Sequence, residues 1–228
     1  MSEERDPRSI LPHASLSQIE KLLKTMARFQ IPVTKDELST ALSKSISRVG
    51  AELAFACKLG LAERYNRTKF GLTSRGNDLV SLPKDSSRRP ELLRLILVEN
   101  FPHVTKEIVL QNQIADSKLL NLIRFARSKS LSEENARQYM KRLRSFLREG
   151  EVIGNRIKTN GVVKWEVHCT QCSKCNHLVL KEKKFCLHCG HSLIQQESAP
   201  ISCSACGTPN PEFSKFCEDC GTSLALEN

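Results

Sequence analysis

Eight cysteines constrain this chain more than any other feature. Cys172-Ser-Lys-Cys175, ten intervening residues and Cys186-Leu-His-Cys189-Gly190 recur 31 positions later as Cys203-Ser-Ala-Cys206, ten residues and Cys217-Glu-Asp-Cys220-Gly221. The flanks repeat too, Lys184-Phe185 matching Lys215-Phe216 and Ser192-Leu193 matching Ser223-Leu224, so that 10 of 23 aligned positions are identical. Two cysteines three apart reach one metal easily but close only a strained disulfide. The glycine after a pair suits the tight knuckle in which backbone amides point at thiolate sulfur, and Asn176, where the other copy has Gly207, also tolerates a left-handed backbone. Four soft sulfurs in a tetrahedron suit zinc, so two structural zinc ions are expected, held by Cys172, Cys175, Cys186 and Cys189 and by Cys203, Cys206, Cys217 and Cys220.

This pattern resembles the double zinc ribbon family. A unit of about 23 residues buries too little to fold alone, so the metal must supply folding energy. Phe185 and Phe216 are expected to pack behind the knuckles. Cys169-Thr-Gln-Cys172 forms a competing pair, but using it lengthens the spacer and breaks the repeat, which leaves Cys169 a spare thiol. His177, His188 and His191 lie close enough to replace a thiolate; the simpler reading makes them surface histidines. A complete four-sulfur set leaves no open coordination position for catalysis.

Upstream of residue 169 the chain is helical with short hairpins. Ser15-Leu-Ser-Gln18 and Thr34-Lys-Asp-Glu37 read as capping boxes for two helices, the first running to about Phe29. A third helix runs from about Ile46 to Leu59 and stops at Gly60. Strands at 61–65 and 69–72 flank Asn66-Arg67-Thr68, and Thr73 caps a last helix. This order, with Leu59-Gly60-Leu61-Ala62-Glu63-Arg64 before the hairpin and Gly71-Leu72-Thr73-Ser74-Arg75-Gly76 after it, resembles the winged helix-turn-helix family. After the polar stretch Lys84-Asp-Ser-Ser-Arg-Arg89 the plan repeats: a helix at 90–99, helices around 106–113 and 117–127, a long helix capped at Ser130-Leu-Ser-Glu133 and ending at Gly150, and a hairpin of 151–157 and 162–167 around Asn160-Gly161. The expected fold is therefore mainly α with small β hairpins: a tail (1–12), winged helix domains at 13–83 and 91–168 joined by a linker (84–90), and two zinc ribbons at 169–194 and 203–225 separated by a linker (195–202).

Charge is distributed unevenly. Of a formal net charge of +10, residues 1–83 carry +4, residues 84–168 carry +7 and residues 169–228 carry −1. Two zinc ions on eight thiolates lower the total to about +6, making the body basic and the tail acidic. At about 100° per residue, Arg137, Lys141, Arg144 and Arg148 fall on one stripe of the long helix, beside an apolar stripe of Ala136, Met140, Leu143 and Leu147. In the winged-helix resemblance this is the recognition helix, whose exposed face enters the major groove, with Arg156, Lys158 and Lys164 on the following hairpin as phosphate contacts. In the first domain the matching helix carries few cations. Phe55, Ala51 and Ala54, with Val49, Leu53 and Ala56, make it apolar nearly all round, which marks Phe55, Ala51 and Ala54 as an interface to another domain or a second subunit. Arg64, Arg67 and Lys69 on its hairpin remain candidate phosphate contacts. Cys57 reads as a small core residue, and Trp165 as strand packing rather than a base-stacking platform.

The chain shows no phosphate-binding glycine loop, no H-E-x-x-H and no G-x-S-x-G, so no enzymatic activity and no small-molecule substrate are expected. Neither a membrane span nor a secretory signal is evident, and placement in the cytoplasm, with association to the nucleoid compatible with it, follows as an expectation. The resemblances imply a transcriptional regulator that binds double-stranded DNA, its ribbons contacting a protein partner or more DNA. The alternative is an adaptor whose winged helices dock proteins, as in the archaeal general transcription factor E or in membrane-remodelling and chromosome-organising complexes. Self-association is compatible with either.

Overall fold

A computed structural model describes residues 12–125, 131–193, 201–210 and 214–224. Side-chain caps set most helix starts. Ser15 opens α1 (Leu16–Phe29) with a reciprocal capping box, its amide donating to Gln18 Oε1 at 2.9 Å. Thr34 does the same for α2 (Lys35–Leu42), its amide donating to Glu37 Oε2 at 2.7 Å. Between them lies β1 (Val33–Thr34), a short strand that the sequence reading lacked. Helix α3 (Ile46–Lys58) starts at Ser45, and its end turns through Gly60 at φ +68° into β2 (Ala62–Arg64). Strand β3 (Lys69–Leu72) pairs with both earlier strands, giving a sheet ordered β1-β3-β2. Thr73 then caps α4 (Ser74–Ser81). A Cβ on Gly76 would run into the Leu61 carbonyl, so the close approach of α4 to the turn between α3 and β2 requires glycine there.

The plan recurs in the next stretch. Helix α5 (Arg88–Asn100) is followed by α6 (Pro102–Val109), which begins with proline in its first turn. Next come β4 (Gln113–Ala115), α7 (Asp116–Phe125) and α8 (Glu133–Glu149). Ser132 caps α8 by accepting from the Asn135 amide; the expected cap, Ser130, lies outside the described residues. Strands β5 (Ile153–Thr159) and β6 (Val162–Val167) form a hairpin turning through Asn160 and Gly161, both left-handed (φ 49° and 77°) as an Asn-Gly hairpin turn demands. Its sheet is ordered β4-β6-β5, the same order as the first.

These two helical modules share one buried apolar cluster. Phe55 of α3 is 1% exposed and meets Phe146 of α8 edge-on, with ring centroids 6.1 Å apart. Polar contacts close the junction: the Leu16 amide donates to Ser145 Oγ at 3.0 Å, and buried Arg89 donates to the Leu79 carbonyl at 3.2 Å and pairs with Glu20. Of the two alternatives expected for Phe55, another domain or a second subunit, the structure shows the first: the chain's own second module covers the ring and leaves no surface there for a separate subunit. Ala51 and Ala54, on the other side of α3, are exposed, and Glu52 is buried against Lys44 Nζ at 2.7 Å. The helix is thus buried on one flank only.

The first ribbon joins the same unit. Strand β7 (Cys169–Gln171) pairs antiparallel with β8 (Leu178–Leu180), and Cys169 and Leu178 enter the shared cluster. Lys181 Nζ donates to Asn112 Oδ1 at 2.9 Å. The chain divides after His191 into a second, small unit. There β9 (Ile201–Ser202) pairs with β10 (Pro209–Asn210), over a buried cluster of Cys203, Cys217 and Leu224. Phe185 and Phe216 do not pack behind the knuckles. They are 55% and 63% exposed, because each directly precedes a cysteine that faces the metal and extended neighbours point to opposite sides. Among the described residues no helix is long and apolar enough to cross a membrane.

Candidate metal centres and nucleic-acid interface

Each metal centre is built from two knuckles of identical hydrogen bonding. The residue after each pair returns its amide to the first cysteine's carbonyl: Asn176 to Cys172 at 2.9 Å, Gly190 to Cys186 at 2.8 Å, Gly207 to Cys203 at 2.8 Å and Gly221 to Cys217 at 3.0 Å. All four of these residues are left-handed, with φ from 59° to 75°, which explains the glycines and the one asparagine. The sulfurs then converge. Cys172 and Cys189 lie 3.7 Å apart, Cys175 and Cys186 3.5 Å, Cys203 and Cys220 3.6 Å, and Cys206 and Cys217 3.5 Å. A zinc tetrahedron with bonds of about 2.3 Å sets its sulfurs about 3.8 Å apart. Within each set all four ligand atoms fall within 4.8 Å of one another.

The electrostatics call for a cation. Backbone amides of Cys220 and Asp219 hold the Cys217 thiol down to about 6. Burial and the adjacent sulfurs of Cys189, Cys186 and Cys172 push Cys175 up to about 12. Four thiolates this close cannot all ionise without a positive centre, and zinc supplies one. No histidine enters either set: His177 stacks on His188 with centroids 3.6 Å apart, and His191 Nε2 hydrogen-bonds Ser173 Oγ at 3.1 Å.

Cys169 stands apart from the metal. It is fully buried, its thiol donates to the Glu151 carbonyl at 3.6 Å, and burial pushes it up to about 12. The fold favours the protonated thiol, so this contribution is present below the ordinary thiol range and fades as pH rises toward 12. At pH 8 the reactive thiolate fraction is about 10⁻⁴. In the folded zinc-loaded protein Cys169 should stay unmodified by iodoacetamide at pH 8, as read by peptide mass spectrometry, and become labelled on denaturation. Rapid native labelling would mean that the β7 region opens.

The cation stripe of α8 is not uniform. Arg137 is exposed but bound to Glu133, Nη2 to Oε1 at 2.5 Å, and with Arg124 it holds that carboxyl below the usual range. One to three turns on, Lys141, Arg144 and Arg148 gather with Arg156 of β5 around a cleft of about 420 Å³ floored by Trp165. Arg156 and Trp165 are directly opposite in the β5–β6 register, so they share a face. Lys158, two residues on, lies on that same face; Lys164, opposite Ile157, lies on the other. In the first module Arg64, Arg67 and Lys69 are exposed along the β2–β3 hairpin, with the Arg64 guanidinium 5.4 Å from the Phe70 ring. Trp165 is 6% exposed, and its indole donates to Asp116 Oδ1 at 2.8 Å. Asp116 also binds Arg144 at 3.2 Å. The sequence reading missed Asp116, whose only local signal is a helix-opening acid; its partners lie 28 and 49 residues away.

Residues 172–221 match the double zinc ribbon family, over both cysteine sets. No curated protein and no solved structure matches the chain.

Proposed function

We propose that this protein, which carries a double zinc ribbon holding two structural zinc ions, is a non-enzymatic DNA-binding transcription regulator. In this reading residues 13–83 and 91–168 are winged-helix domains, and α8 with the β5–β6 hairpin meets duplex DNA. The observation that carries it is the convergence of Lys141, Arg144, Arg148 and Arg156 on one side of the second module, where a helix and its adjoining hairpin can follow a groove and its phosphates together. The repeated sheet order, β1-β3-β2 and β4-β6-β5, supports the domain reading. Zinc makes the ribbons acidic, which suits them to a protein partner better than to DNA.

A second reading, an adaptor that docks proteins, is favoured by the poverty of cations on the exposed side of α3 and by the exposed Phe185, Leu187 and Phe216. Fluorescence anisotropy of the zinc-loaded protein on mixed-sequence duplex DNA across a salt titration decides between them. Neutralising about five phosphates gives a log–log slope near −4 to −5. The double variant Lys141→Ala, Arg148→Ala should flatten that slope by about 2 and weaken binding at every sequence. No binding at low salt would leave the adaptor reading.

A further inference from the structure

We propose that the cleft between α8 and the β5–β6 hairpin seats a single phosphate group, and that Asp116 and Trp165 position Arg144 for it. The cleft's ionic side chains are Lys141, Arg144, Arg148, Arg156 and Asp116, four cations to one carboxylate. Asp116 is consumed internally: it accepts from Arg144 Nη1 at 3.2 and 3.4 Å and from the Trp165 indole at 2.8 Å. That arrangement engages only Nη1 of the Arg144 guanidinium and leaves the N–H groups on Nε and Nη2 for a ligand.

Trp165 orders the site a second way. The guanidinium carbons of Arg144 and Arg148 lie 5.4 and 5.9 Å from its ring centroid, within cation–π range, which holds both cations beside the cleft. Among the described residues no carboxylate pairs with Lys141, Arg148 or Arg156. Ser145, also on the rim, is already committed, donating to the Arg142 carbonyl at 2.6 Å and accepting from the Leu16 amide. What faces the cleft is therefore forks and one point charge, held on a rigid aromatic floor. The two charged non-bridging oxygens of a phosphodiester can each accept more than one hydrogen bond, which suits a site that presents three forks and an ammonium together.

The proposal rests on the DNA reading for its occupant, a backbone phosphodiester of the duplex. Trp165 is the only tryptophan of the chain, so its emission reports on this cleft alone. The test records Trp165 emission and the anisotropy of a labelled duplex in one titration of the zinc-loaded full chain, with a parallel titration by inorganic phosphate. The expected result is that emission changes in step with duplex binding. Asp116→Asn should weaken duplex binding roughly tenfold and shrink the emission change, although removing a negative charge would tighten a purely electrostatic contact. Arg144→Lys, which keeps the charge and loses the fork, should act in the same direction and serves if Asp116→Asn does not fold. Duplex binding with silent Trp165 and unchanged or tighter affinity in Asp116→Asn overturns the seat and leaves the DNA reading intact. Emission that responds to inorganic phosphate when no duplex binds keeps the seat, with a free oxyanion as its occupant, and removes the DNA reading. Silence in both titrations overturns both.

Discussion

Chelating zinc is expected to unfold the second ribbon completely while the first keeps part of its structure. The difference lies in what each ribbon has besides metal. In the second unit the buried set is Cys203, Cys217 and Leu224, two of them ligands, with Asn210 bridging Cys217 Sγ and the Glu218 amide. Its two paired strands are two residues each. Among the described residues nothing there offsets the conformational entropy of ordering the chain once the metal leaves, and structural zinc contributes about 10–16 kcal/mol of apparent binding energy at neutral pH. The first ribbon is anchored differently: Cys169 and Leu178 belong to the large shared cluster, and Lys181 is tied to Asn112. Chelation should therefore release two zinc ions per chain in a colorimetric assay and abolish amide protection over 201–210 and 214–224. Protection should survive at the amides of Thr170 and Val179, the hydrogen-bonded pair of the β7–β8 ladder. Cys217→Ser should bring the zinc content down to one and mimic the loss in the second unit alone. Persistent protection of 201–210 and 214–224 without metal would refute the account.

Local signals were legible in the sequence wherever one residue decides a local geometry. The caps at Ser15, Thr34 and Thr73, the Asn160-Gly161 turn and the left-handed positions after the cysteine pairs all follow from backbone or side-chain hydrogen bonding within a few residues. The metal sets were legible for the same reason, since each pair is a local knuckle and the repeat supplies the rest. What could not be read is what the third dimension decides. Strands β1 and β4 are two and three residues long and exist only because β3 and β6 pair with them. Asp116 becomes part of a site only because α7, α8 and β6 meet. Hydrophobicity alone points Phe185 and Phe216 inward, but the alternation imposed by the adjacent metal-facing cysteine turns both outward. The apolar surround of α3 signals a second contact at Phe55, but it does not extend to Ala51 and Ala54, which are exposed.

Replacing Phe55 with alanine should destabilise the first unit by about 3–5 kcal/mol, the range for deleting a fully buried phenylalanine. The reason to expect the upper part of that range is where the ring sits. Phe55 is 1% exposed at the junction of the two helical modules, edge-on to Phe146 at 6.1 Å and close to His13 at 6.3 Å. A cavity there cannot collapse without moving α3 toward α8, and that approach is already fixed by the Leu16–Ser145 hydrogen bond and the buried Arg89 with its Glu20 and Leu79 partners. The same ring also couples the modules, so its loss should reduce cooperativity as well as stability. In urea the parent is expected to lose its helical signal in one transition, because both modules and the first ribbon share one buried cluster. Phe55→Ala should lower the midpoint and broaden or split that transition, the two modules then unfolding separately. Phe55→Leu, which refills most of the volume, should recover the single transition with a smaller loss of stability. A shift below about 1 kcal/mol in Phe55→Ala would mean that the modules are stable independently, and the junction would then be a hinge between two domains rather than a common core.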